Sequence, residues 1–114
     1  QMFIDDETVA RVNLARDEGR QVCAVGTTVA RALETAYSTQ GHISPYNGWT
    51  NKFIFPPYEF QVPTSLISNF QLSLSTMLML VCAFGGYQNV MNAYNVAVAE
   101  GYRIGPYGDA MLII

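Results

Sequence analysis

Between residues 7 and 18, Val9, Val12, Leu14 and Ala15 gather on one side while Arg11, Arg16 and Asp17 lie elsewhere, and Gly19 follows as a stop. That rhythm predicts an amphipathic helix. The next stretch, Gln21-Val22-Cys23-Ala24-Val25, is short and nearly all apolar, as expected of a strand covered on both faces. Gly26-Thr27-Thr28 then turns the chain into a second helix reaching Tyr37. Gly41, Pro45, Asn47 and Gly48 mark residues 38–51 as a long loop. Phe53-Ile54-Phe55 predicts a strand, and Tyr58-Glu59-Phe60-Gln61-Val62 alternates with the period of an edge strand. Ser75 or Thr76 caps an apolar helix over 77–84 that Gly85-Gly86 ends, and a further helix runs over 88–100 to Gly101. Residues 102–105 and 110–114 are the last strand candidates.

Strands alternating with helices predict an α/β layer structure with a mainly parallel sheet, either as a single domain over residues 1–114 or as part of a larger one. At 114 residues the chain has room for one ordinary core. Four of its six basic residues (Arg11, Arg16, Arg20, Arg31) precede residue 32, whereas residues 60–99 carry no charge. Such a stretch is expected to be a buried central element or a surface awaiting a partner segment, through which a homo-oligomer could also form.

A formal charge of −3 and a pI near 4.8 exclude a self-sufficient nucleic-acid binder, because phosphate neutralisation needs a basic surface. The longest apolar run, residues 77–84, is too short to span a bilayer, so no membrane association is expected. The N-terminal segment lacks a basic region followed by an apolar core, so no signal peptide is expected and a cytoplasmic location follows. Cys23 and Cys82 lie far apart in apolar runs, which predicts buried reduced thiols rather than a metal site or disulfide.

The turn Gly26-Thr27-Thr28 is the strongest local chemical signal. A strand ending in Gly and hydroxyl residues and opening a helix leaves free backbone N–H groups and a positive dipole end at one spot, suited to an anionic or polar ligand. Arg31 could add a charged fork, with Glu34 as its ion-pair partner. On the plainer reading a threonine caps the helix and Arg31 and Glu34 form a surface pair. His42 stands alone in a Gly-rich loop and is expected to be exposed and inert. The aromatics Tyr46, Trp49, Phe53, Phe55, Tyr58 and Phe60 could stack on bases, but with only Lys52 as a cation among them core packing is the expectation. Asn69, Ser75 and Thr76 cap backbone or contact a ligand; Tyr107-Gly108-Asp109 offers a carboxylate for a sugar hydroxyl or acid/base work, or a plain turn.

Several ordered blocks are similar to one family. Arg11-Val12-Asn13, Val25-Gly26-Thr27-Thr28 with Arg31 and Leu33-Glu34, Phe53-Ile54-Phe55-Pro56, Leu66-Ile67-Ser68-Asn69-Phe70, residues 75–84, Tyr102-Arg103 and Tyr107-Gly108-Asp109-Ala110-Met111 resemble motifs of the S-adenosylmethionine:tRNA ribosyltransferase-isomerases of queuosine biosynthesis. The resemblance implies transfer and isomerisation of the ribosyl group of S-adenosylmethionine onto a deazaguanine base of tRNA, giving epoxyqueuosine. S-adenosylmethionine would be a consumed substrate and no cofactor or metal is implied. The resemblance covers the C-terminal part of a longer enzyme, so tRNA binding would need the missing N-terminal part. It implies substrate contacts at Gly26, Thr27, Thr28, Arg31, Asn69, Ser75, Thr76 and Arg103, with Asp109 and Tyr107 as catalytic candidates. Gln71 and Thr64 stand where the family has His and Asp, Pro57 replaces a Gly, and Lys52 replaces an apolar residue. The alternative is a non-catalytic module that retains the family fold.

Overall fold

A computed structural model describes residues 2–38, 40–50, 52–70, 75–104 and 108–114. The order is β1 (Met2–Ile4), α1 (Asp6–Asp17), β2 (Cys23–Val25), α2 (Thr27–Ala36), β3 (Tyr46–Gly48), β4 (Ser65–Asn69), α3 (Thr76–Gly85), α4 (Tyr87–Ala99) and β5 (Ala110–Ile113).

Local chemistry sets the helix ends. Asp5 caps α1, its carboxylate accepting from the Thr8 N–H at 2.8 Å, which holds its pKa below the ordinary 3.8. Gly19, at φ +70°, closes α1: its N–H reaches the Arg16 carbonyl, and the Arg20 N–H returns to the Ala15 carbonyl. This pair of bonds requires a left-handed residue, and glycine adopts that conformation without a Cβ clash. Gly101 ends α4 in the same way, with N–H groups of Gly101 and Tyr102 returning to Val98 and Ala97. Ser75 caps α3 by accepting from the Leu78 N–H at 3.0 Å.

The α/β layering is as predicted, but the sheet is mixed rather than mainly parallel. In the order β2-β4-β5, β2 and β4 are parallel and β5 is antiparallel to β4; β1 and β3 form a separate antiparallel pair. Two helices, α3 and α4, lie between β4 and β5 in the chain, so the second returns it to the end from which β5 runs antiparallel. Residues 53–55, 58–62 and 102–104 form no strand, against expectation. The 58–62 segment gains its hydrogen bonds from a side chain of α2, as described below. Conversely, β3 lies inside the predicted loop, paired with β1.

Ala24, Leu66, Met111 and Ile113 face α2, α3 and α4, where Ala30, Leu78, Val81, Cys82, Val90 and Tyr94 complete the main core. Much of the uncharged 60–99 segment is therefore core. A second cluster joins Ile4, Val9, Val22, Leu33, Ile43 and Val62. The strand period puts Cys23, Val25, Ile67 and Leu112 on the other sheet face, where Cys23, Val25 and Leu112 are exposed. Two expectations are thereby corrected: β2 is covered on one face only, and of the two thiols only Cys82 is buried, its pKa raised by desolvation.

Candidate functional site

Because β2 and β4 run parallel, their carboxyl ends share one edge of the sheet. The Gly26 N–H donates to the Ile67 carbonyl at 2.7 Å, anchoring the start of α2 to β4 there. Gly26 has φ +102° and gives α2 no side-chain cap, so the N–H groups of Thr27, Thr28 and Val29 have no intrahelical partners. The first turn of α3 arrives at the same edge, and the 52–54 segment crosses beside it. Together they enclose a cleft of about 230 Å³ lined by Thr27, Thr28, Arg31, Lys52, Phe53, Ile54, Thr76, Met77 and Leu80.

The polar groups of this cleft have few partners among the described residues. Thr27 is 7% exposed, yet its hydroxyl makes no hydrogen bond among the described residues. No sealed side-chain N or O lacks a partner among those residues, so this hydroxyl opens into the cleft that Thr27 lines. Arg31 is half-buried and pairs with no carboxylate among the described residues, where the ion pairs are Arg11–Glu7 and Arg20–Glu18. Lys52 places its ammonium 5.3 Å from the centre of the Tyr58 ring. Among the described residues no carboxylate lines the cleft. The site thus combines two cations, three threonine hydroxyls and the positive end of a helix, over an apolar floor of Ile54, Met77 and Leu80.

Glu34 does not pair with Arg31, which corrects the sequence expectation. It is 4% exposed and turns to the 58–62 segment, accepting from the Tyr58 hydroxyl at 2.8 Å, the Gln61 N–H at 3.0 Å and the Val62 N–H at 2.8 Å. A buried carboxylate persists where its lone pairs are filled, and here they are filled by backbone that would otherwise need a strand partner. Burial, with the Glu34 hydrogen bond and charge, raises the Tyr58 pKa above 10.0.

Of the other residues singled out in the sequence, those described lie outside the cleft lining. Asn69 pairs with Ala110 in the β4–β5 ladder and, by strand alternation, projects with Ile67 on the face away from the helices. Ser75 spends its hydroxyl on the α3 cap. Arg103 and Asp109 clasp each other through the backbone: the Arg103 N–H donates to the Asp109 carboxylate at 2.8 Å, and the Asp109 N–H donates to the Arg103 carbonyl at 3.1 Å. Asp109 also accepts from the Phe70 N–H through its carbonyl, which sets it at the carboxyl end of β4, two strand spacings, or about 10 Å, across the edge from β2. Tyr107 and Gln71 lie outside the described residues. His42 is exposed, as expected. Trp49, Phe53 and Phe55 are 77%, 55% and 51% exposed, which corrects the core assignment of these aromatics; Tyr46, Tyr58 and Phe60 are half-buried. Lys52 and Phe53 are the cleft residues that local pattern did not assign, for nothing in their immediate sequence shows that the 52–54 segment crosses the start of α2.

Thr64 lies away from this cleft and bonds within the fold. Its hydroxyl accepts from the Val22 N–H at 2.9 Å and lies 2.6 Å from the Gln21 side-chain oxygen, tying β2 to the start of β4.

Residues 1–113 match the sequence profile of the family described as queuosine biosynthesis protein. The chain belongs to this family. Its full length is 61% identical to an S-adenosylmethionine:tRNA ribosyltransferase-isomerase of Bacteroides fragilis and 57% identical to one of Parabacteroides distasonis, covering 32% and 33% of those proteins. A crystal structure of an S-adenosylmethionine tRNA ribosyltransferase from Thermotoga maritima superposes with a TM-score of 0.92 at 45% identity, over 98% of this chain and 39% of that one. The chain therefore spans about a third of the length of the curated relatives it matches. Among the described residues no helix is long and apolar enough to cross a membrane.

Proposed function

We propose that this chain supplies the C-terminal part of an S-adenosylmethionine:tRNA ribosyltransferase-isomerase, and that the cleft at the start of α2 holds an anionic or polar part of a substrate. The carrying observation is that the buried residue Thr27, whose hydroxyl has no partner among the described residues, lines one cleft with Arg31, which pairs with no carboxylate among them, at a helix N-terminus with no side-chain cap. A fold that satisfies Glu34 with three donors leaves these groups open, as a binding site requires. Thr28 and Thr76 line the same cleft and would orient a sugar or base. Asp109 is the acid/base candidate: it is exposed on the same sheet edge, and the Arg103 N–H fixes one carboxylate oxygen while the other can take a proton. Asn69 and Arg103 would act around Asp109 rather than in the cleft, Ser75 would hold the start of α3, and Tyr107 is the second catalytic candidate.

S-adenosylmethionine is consumed in this reading, with adenine and methionine released and the rearranged ribosyl unit left on tRNA. The remaining two-thirds of such an enzyme would supply the basic tRNA surface that this acidic chain lacks. It, or a second copy of the chain, would cover the bare sheet face of Val25, Ile67 and Leu112. The Thr64 departure from the family pattern leaves the cleft untouched, since Thr64 serves the β2–β4 junction.

The test joins this chain to the remaining two-thirds of the Bacteroides fragilis relative and measures adenine release from S-adenosylmethionine with tRNA. Turnover is expected, and Asp109→Asn should lower it by about 100-fold or more while leaving the melting temperature in place. A folded but inactive joined protein would establish the non-catalytic module instead.

A further inference from the structure

The cleft at the start of α2 has a charge pattern more specific than its size. Among the described residues its lining holds Arg31 and Lys52 and no carboxylate, and the free N–H groups of α2 add partial positive charge. S-adenosylmethionine carries a sulfonium and an ammonium against one carboxylate, a net positive charge, so a cationic lining disfavours its two charged centres even where it could take the carboxylate. A phosphodiester, negative throughout and without a cationic neighbour, suits two cations and a helix N-terminus. Thr27, a residue 7% exposed, lines the same space, and its hydroxyl, unpartnered among the described residues, supplies a further donor.

Phe53 lines this cleft and is 55% exposed, with the Phe55 ring tilted against it at 5.6 Å between centroids. Exposed aromatic faces beside a cationic pocket form the pairing used by proteins that hold single-stranded nucleic acid, where bases stack and the backbone phosphate is neutralised.

We infer that this cleft is an RNA subsite, with a backbone phosphate held by Arg31, Lys52, the Thr27 hydroxyl and the α2 N–H groups, and a neighbouring base stacked on Phe53. The inference rests on the tRNA-modifying reading above and deepens it by assigning the cleft to the nucleic acid rather than to the amino-acid end of S-adenosylmethionine. Lys52 has a specific part in it, since its ammonium is the second cation of the lining beside Arg31.

Amide-resolved NMR titration of the chain tests this, using a short single-stranded oligoribonucleotide, inorganic phosphate and S-adenosylmethionine in separate arms. The oligoribonucleotide and phosphate should both shift the amides of residues 27–29, whereas S-adenosylmethionine should not. Arg31→Met and Lys52→Met should each weaken RNA binding about tenfold and reduce the slope of log affinity against log salt by about 0.7. Phe53→Ala should weaken the oligoribonucleotide and leave phosphate binding unchanged. A dispersed amide spectrum shows that each variant is folded. The inference is overturned if S-adenosylmethionine moves these amides and RNA does not, or if phosphate binds while the oligoribonucleotide gains nothing from Phe53. Adenine release by the joined enzyme tests the parent reading separately, so activity with no RNA effect at Arg31 and Lys52 would sink the subsite alone.

Discussion

Arg31 and Glu34 lie one turn apart on α2 with opposite charges, and the fold treats them differently. Glu34 is buried with three donors on its oxygens, drawn from a segment more than twenty residues away. Arg31 is half-buried at a cleft and pairs with no carboxylate among the described residues. Sequence spacing allows these two side chains to pair, but burial decides otherwise. A carboxylate removed from water needs fixed donors, and the unpaired backbone of 61–62 supplies them at lower entropic cost than a flexible arginine. The third turn of the helix is thus committed to holding the fold, whereas the first two turns keep Thr27, Thr28 and Arg31 for something else.

The sharpest way to break this contrast is Glu34→Ala, which strands the Tyr58 hydroxyl and the Gln61 and Val62 N–H groups. It should destabilise the chain by about 3 kcal/mol, read by chemical denaturation, at a cost of about 1 kcal/mol or more for each buried donor left unmade. Loss below about 0.5 kcal/mol would mean that water replaces the carboxylate and that 58–62 is not pinned by it. Next in size, Arg31→Met should lower turnover of the joined enzyme by about tenfold to a hundredfold, the worth of one charge-assisted contact. Its effect on stability should stay within about 0.5 kcal/mol.

Smaller effects sharpen the boundary between the two roles. Tyr58→Phe should cost about 1 kcal/mol near neutral pH. The native Tyr58 pKa is raised above the ordinary 10.0, so the folded state favours the protonated phenol and binds its proton more tightly than the unfolded chain. That contribution is fully present below pH 10 and is lost as pH rises toward the folded-state value. Alkaline titration of stability should therefore fall more steeply above pH 10 in the native chain than in Tyr58→Phe, and parallel curves would contradict the Glu34 contact. Ser75→Ala should remove about 1 kcal/mol through the lost α3 cap, seen as a lower melting temperature.

The four helices were legible because their ends are written locally. Gly19 and Gly101 take the left-handed conformation after α1 and α4, and Ser75 caps α3. Strand β4 was not legible: in Ser65-Leu66-Ile67-Ser68-Asn69 small polar and apolar residues alternate without a clean period, and Ser65 and Ser68 are buried among the apolar ones. The opposite error arose at 58–62, whose alternation resembles an edge strand while its backbone bonds go to Glu34. No local pattern could show that, since the partners are more than twenty positions apart. At the cleft, Thr27, Thr28 and Arg31 were visible as a strand–Gly–helix turn, whereas Lys52 and Phe53 join them only through tertiary packing.

The central claim is that the polar groups on the first two turns of α2, Arg31 among them, are kept open for a substrate and not for the fold. The most direct measurement is turnover and melting temperature, side by side, for the joined enzyme and its Arg31→Met variant. The account predicts turnover lowered about tenfold or more at an unchanged melting temperature. Unchanged turnover, or a loss that tracks a lower melting temperature, would contradict it.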